Sequence, residues 1–174
     1  MSKLILENKI VEQLDSGFSG ETINFLAFQS SLTLFKQSKM GPVAIGDVHL
    51  PFGTGDSEAD LHKLGSFYSV AVGQGSFYNT GCFGPLPALG SEFNCLIYSV
   101  KVKDTNTFDP RMDGWNYIFA CFFYRESLNS LLNQKRKQIE GIFDEFFSEN
   151  NDLLDLGNIK IQLLKQRILE HIIG

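Results

Sequence analysis

The chain has 174 residues, 43% of them hydrophobic, with a net charge of −5 and a pI near 5.2. That length and apolar content fit one domain with a packed core and exclude wholesale disorder. The acidic balance excludes a dedicated nucleic-acid binder, which needs a concentrated basic surface to displace counterions.

The opening Met1-Ser2-Lys3-Leu4-Ile5-Leu6-Glu7 lacks a long apolar run before its first charge, so no signal peptide is expected. No stretch approaches the roughly 18 uninterrupted apolar residues of a spanning helix, so direct membrane insertion is not expected. Three cysteines, Cys82, Cys95 and Cys121, show no CxxC spacing. They fit a reducing cytoplasm better than a secreted disulfide framework.

Residues 3–14 alternate between helix-like and strand-like patterning; Leu6, Ile10, Val11 and Leu14 share a helical face, and Asp15-Ser16-Gly17 supplies a stop. Thr22 to Phe35 reads either as a helix starting near Glu21 or as strands broken at Ser30-Ser31; the helix is preferred. Gly41 to Pro51 reads as a short strand bounded by prolines, placed at an edge. Residues 52–65 begin with the acidic, turn-rich Phe52–Asp60 stretch and are expected to form a mobile loop.

Three aromatic-rich segments follow and read as sheet strands: Ser66–Val72, Glu92–Val102 and Trp115–Tyr124. Gly81–Pro87, between the first two, reads as irregular. Phe93, Cys95, Ile97, Ser99 and Lys101 point one way along the second strand; Leu96, Tyr98, Val100 and Val102 point the other. Tyr117–Tyr124 is apolar almost throughout, as expected of a central strand covered on both faces. Asp109-Pro110-Arg111 is a turn leading into it. Leu128, Leu131, Leu132, Ile139, Ile142, Phe143, Phe146 and Phe147 then recur at helical steps, so one amphipathic helix is expected there. Gly141 within it points to a close contact. Ile159–Ile173 is a second such helix, with Leu163, Leu164, Ile168 and Ile172 on its stripe. The whole, residues 1–174, is expected to be a single α+β domain. Its sheet is mostly antiparallel, with N-terminal helical segments and two C-terminal amphipathic helices packed on it.

The sequence offers no matching set of catalytic residues, and no cofactor is expected. The best chemical candidate is Gly46-Asp47-Val48-His49, with Asp60 and His62 after it. An aspartate and a histidine two apart at a strand end can both reach one metal. That opening resembles the GDxH of calcineurin-like metallophosphoesterases, but the later ligands are missing: Gly157-Asn158 runs into Ile159, and the only other histidine is His171. A small metal-dependent hydrolase at Asp47, His49, Asp60 and His62 is the alternative reading. The glycines from Gly73 to Gly84 lack the lysine and Ser/Thr of a phosphate loop and are expected to serve turns and bulges. The basic Lys135-Arg136-Lys137 and the acidic run from Asp144 to Asp155 are expected to be solvated faces. A ligand-sensing domain with a pocket between sheet and helices is a third possibility.

The strands Phe93–Asp104 and Tyr117–Tyr124 with the helix Leu128–Phe147 resemble the longin/roadblock superfamily. The N-terminal half departs from that pattern. Residues 1–40 do not show the paired strands that open a longin domain, and residues 41–65 read as an insertion. The resemblance implies a non-enzymatic protein-interaction module in small-GTPase regulation or membrane trafficking. Its partner would be a small GTPase or a related longin/roadblock subunit, in a homo- or hetero-oligomer. Tyr98, Arg111, Phe122 and Tyr124 are the contact candidates it implies, since aromatic residues and arginine are the usual hot spots when exposed.

Overall fold

The structure, a computed structural model, describes residues 29–45, 49–73 and 80–173. Its elements run β1 (Ser31–Ser38), β2 (Gly41–Ile45), α1 (Ser57–Val72), β3 (Gly81–Pro87), β4 (Phe93–Lys103), β5 (Trp115–Arg125), α2 (Asn129–Gln134), α3 (Arg136–Glu149) and α4 (Asn158–Ile173). The strands form a five-stranded antiparallel sheet in the order β2-β1-β5-β4-β3. This is the expected α+β architecture.

Helices cover both faces. On one face Leu34, Tyr98, Ile118, Ala120 and Phe122 pack against Ile139, Phe143, Leu164 and Ile168 of α3 and α4. On the other, Phe35, Cys95, Ile97, Phe119, Cys121 and Phe123 pack against Leu64, Tyr68 and Val72 of α1. The alternation read from β4 holds, with Cys95 and Ile97 toward α1 and Leu96 and Tyr98 toward α3 and α4. β5 is central, and Asn116 through Tyr124 are all buried. It pairs with β4 along its whole length, from Phe93↔Arg125 to Lys103↔Trp115.

Several expectations are corrected. Ser66–Val72 is not a strand but the end of α1, which begins at Ser57 inside the stretch expected to be a loop. The helix has the signals it needs. Asp56 caps it by accepting from the Ala59 N–H, and Glu58 and Asp60 in its first turn suit the positive end of the helix dipole. Leu61, Leu64, Tyr68 and Val72 recur at helical steps, and the last three are buried. The strand reading took in Phe67 and Val70, which are exposed rather than part of the inward stripe. At Gly65 a Cβ would meet the Phe35 ring and Pro42 at 3.0–3.2 Å, so the glycine lets α1 lie close on β1 and β2.

Ser31–Phe35 belongs to strand β1, not to a helix; its β-branched and apolar residues pair with β5. Gly81–Pro87 is strand β3, hydrogen-bonded to β4 with a register shift between Phe83 and Leu86. Gly84 there has φ +109°, and a Cβ would come within 2.7 Å of the Cys95 carbonyl, so the bulge requires glycine. The helix expected over Leu128–Phe147 is divided at Lys135 into α2 and α3. Gly141 is exposed with open space around it, so it marks no close contact. On α4 the inward stripe is Ile161, Leu164, Ile168, Leu169 and Ile172, and Leu163 is exposed. The face shared by Leu6, Ile10, Val11 and Leu14 lies outside the described residues, as does Thr22–Phe28.

Phe143 has no exposed surface, and its ring stacks on Tyr98 with centroids 4.9 Å apart. Phe143→Ala is expected to cost about 3–5 kcal/mol, from lost transfer energy and the cavity left behind. A urea titration followed by circular dichroism would register this as a lower midpoint at unchanged slope.

Candidate docking site

The residues singled out from sequence fall in different places. Tyr98, Phe122 and Tyr124 are buried in the core. Their side chains are engaged internally, Tyr98 donating to Asp144 Oδ1 and Tyr124 donating to Asn129 Oδ1 at 2.7 Å. As folded, these aromatics offer no surface to a partner. Arg111 is exposed, but its guanidinium lies fork-on-fork with Asp109, Nε to Oδ1 at 3.0 Å and NH2 to Oδ2 at 2.8 Å. That pairing holds the Asp109 carboxyl below its usual range.

Among the described residues, the candidate metal ligands do not form a metal site. Asp47 lies outside the described residues. His49 is exposed in the segment after β2, and His62 is exposed on α1. Asp60 is buried, and its two carboxylate oxygens accept from Thr54 N–H at 2.8 Å and Thr54 Oγ1 at 2.9 Å. Its task is to tie the Pro51–Gly55 segment to α1. Gly53 adjoins it with φ +123°, where a Cβ would collide with Asp60 Oδ2. Among the described residues, no group of three or more His, Cys, Asp or Glu side chains could hold a metal ion.

The crevice between β5 and helices α2 and α4, lined by Phe122, Leu132, Leu169 and Ile172, has about 20 Å³ of space for water. That is room for about one water molecule, not for a metabolite.

What the sequence reading missed is the outer side of α1. Because Leu64, Tyr68 and Val72 take the inward stripe, Phe67 and Val70 are left 52% and 63% exposed. Leu89, in the β3–β4 turn, is 38% exposed, with φ +52°. Lys63, Leu64, Phe67, Pro87, Leu89 and Gly90 line one cleft of about 310 Å³. The wall is anchored from below, where Tyr68 donates its hydroxyl to the Pro87 carbonyl at 3.1 Å and thereby ties α1 to the end of β3. Burial is the main cause raising the Tyr68 hydroxyl pKa, so this donor keeps its proton. The result is an apolar cleft with one lysine at its rim, on a rigid base. Such a cleft suits an apolar side chain flanked by a carboxylate. The signal in the sequence was two large apolar residues in excess of the helical stripe.

The neighbouring strand β3 carries Cys82, half-buried against α3. Burial, with the Glu140 carboxylate adding to it and Arg136 opposing, pushes its thiol up to about 12. Cys95 and Cys121 are fully buried in the sheet.

No protein-family model, curated protein or solved structure gives a significant match to this chain.

Two predictions test this picture. Alkylation of Cys82 by iodoacetamide is expected to be slow at pH 8 and to accelerate steadily to pH 10, because only the thiolate reacts. Glu140→Gln should speed it by removing a raising charge, as peptide mass spectrometry would show. Asp60→Ala is expected to cost about 1–3 kcal/mol by removing both hydrogen bonds that its carboxylate accepts from Thr54. The loss should be the same with and without a chelator; a chelator-dependent melting temperature would instead point to a metal.

Proposed function

We propose that this chain is a non-enzymatic protein-docking domain of the longin/roadblock kind, working in small-GTPase regulation or membrane trafficking in the cytoplasm. The observation that carries the docking reading is the half-exposed Phe67 of α1 and Leu89 of the β3–β4 turn, which line one formed cleft, with Val70 of α1 exposed as well. Isolated apolar residues on a surface are ordinary; several around one concavity are the mark of an interaction site.

The kinship is supported by the order of elements. The paired strands missing from the sequence reading of the N-terminal half are present as the β1–β2 hairpin. The supposed insertion at 41–65 supplies β2 and the start of α1. A helix, three strands in succession and the helical C-terminal segment then follow. Among the described residues, no helix is long and apolar enough to cross a membrane.

The partner is a small GTPase or a related subunit, held at the α1 cleft through apolar contact and the Lys63 charge. The purified chain should form a heteromer or a concentration-dependent homomer by native mass, and should capture a defined partner identified by mass spectrometry. Immobilised small GTPases in their two nucleotide states test the finer statement. Phe67→Asp combined with Leu89→Asp should abolish capture while leaving the circular dichroism unchanged, since both side chains are exposed. A strictly monomeric wild-type chain that captures nothing would sink the reading.

A further inference from the structure

The two edges of the sheet differ in how they meet solvent. At β3, Arg136 reaches from α3 and donates to the backbone carbonyls of Cys82 and Gly84. Pro85 and Pro87 lack N–H donors, and the register is broken between Phe83 and Leu86. Side chains, prolines and bulges on an edge are the means by which proteins prevent strand addition. The β2 edge is less protected. It has a single proline, Pro42, and among the described residues no strand pairs with its outer side.

Beside β2 opens a second cleft, of about 550 Å³. Phe35, Ala44 and Leu61 give it apolar lining, and Val43 is 42% exposed at its side. Asp56 and Glu58, both exposed, line it as well. Among the described residues lining it, His62 is the one other titratable group, and Lys63 of the same helix lines the other cleft. The N-terminal end of α1 contributes about half a positive charge, which two full carboxylates outweigh. An apolar trough bordered by two carboxylates matches a ligand that is both apolar and cationic.

We propose that the β2–α1 cleft receives an extended segment of a partner protein in which a lysine or arginine sits beside an apolar residue, laid along the free edge of β2. The apolar side chain fills the trough and the cation meets Glu58 and Asp56. Main-chain pairing is confined to Ala44, because Val43 and Ile45 bond inward to β1 and Pro42 has no N–H to donate. The proposal rests on the reading of the chain as a docking domain, but it uses a different cleft from the one bearing Phe67.

The test uses the full isotope-labelled chain and two short synthetic peptides, one alternating lysine with valine and one with glutamate in place of lysine. Amide shifts from the lysine peptide should centre on Val43–Ile45 and Ala59–His62, and the glutamate peptide should bind more weakly. Glu58→Lys, at an exposed helical position, should weaken the lysine peptide about fivefold and strengthen the glutamate one. Equal binding of the two peptides, shifts centred on Phe67 and Leu89, indifference to Glu58→Lys, or self-association through β2 would each overturn the proposal. Failure here with Phe67-dependent capture intact removes this inference alone. Loss of that capture with the β2 shifts intact removes only the α1 cleft.

Discussion

Everything in this fold answers to β5. From Tyr117 to Tyr124 its side chains are apolar on both sides, and all of them are buried. Leaving one face of such a strand in water would expose several large residues, at about 1.5–3 kcal/mol each. The strand therefore needs cover on two faces and neighbours on two edges. β1 and β4 supply the edges; α1 covers one face and α3 with α4 the other. The sheet order follows from putting the greasiest strand in the middle.

Polar groups settle the details that burial leaves open. At one end of the sheet, Asn116 donates to the Gln37 carbonyl at 2.9 Å and to Asp104 Oδ2 at 3.0 Å, joining β5, the end of β1 and the connector after β4. At the other end, Arg125 donates to Gln29 Oε1 and to Glu92 while its guanidinium lies 4.8 Å from the centre of the Phe93 ring. Between them, Tyr98 is stacked on Phe143 and Phe147 and donates to Asp144, which fixes where α3 sits along β4. Each link joins elements distant in sequence, so each selects one register among several that would bury similar area.

The strands that were legible were those in which pattern and burial agree. β4 alternates cleanly because its two faces meet two different helix layers, and β5 is uniformly apolar because it is central. β1 was ambiguous because Leu32, Leu34 and Phe35 fit a helical stripe about as well as a two-sided strand, and only pairing with β5 decides between them. β3 was hidden by two prolines and a bulge, tolerable because it is an edge. α1 was misread because Phe67 and Val70 blurred its period. The aromatic residues nominated as contacts, Tyr98, Phe122 and Tyr124, were the ones the core needed most. Sequence supplies residue type but not the side of the sheet on which surplus surface ends up.

That surplus on α1 is what the docking proposal rests on. A helix serving only as a lid would keep its outer positions polar, since exposed Phe and Val gain nothing from folding. Here Phe67 and Val70 stand among the exposed positions, beside polar ones such as His62, Lys63 and Ser66, while the helix is tied down along its length. Asp56 caps its start, Asp60 fastens the preceding segment, and Tyr68 bonds to the end of β3. The two clefts beside the helix also carry opposite charge, Lys63 in one and Asp56 with Glu58 in the other. A rigid helix with an unburied apolar side and charge of different sign on its two flanks can orient a partner as well as hold it. For a partner docked as proposed, apolar contact would supply affinity and the charge asymmetry would fix direction: a partner acidic toward Lys63 and basic toward Glu58 would meet like charge on both sides if turned end for end.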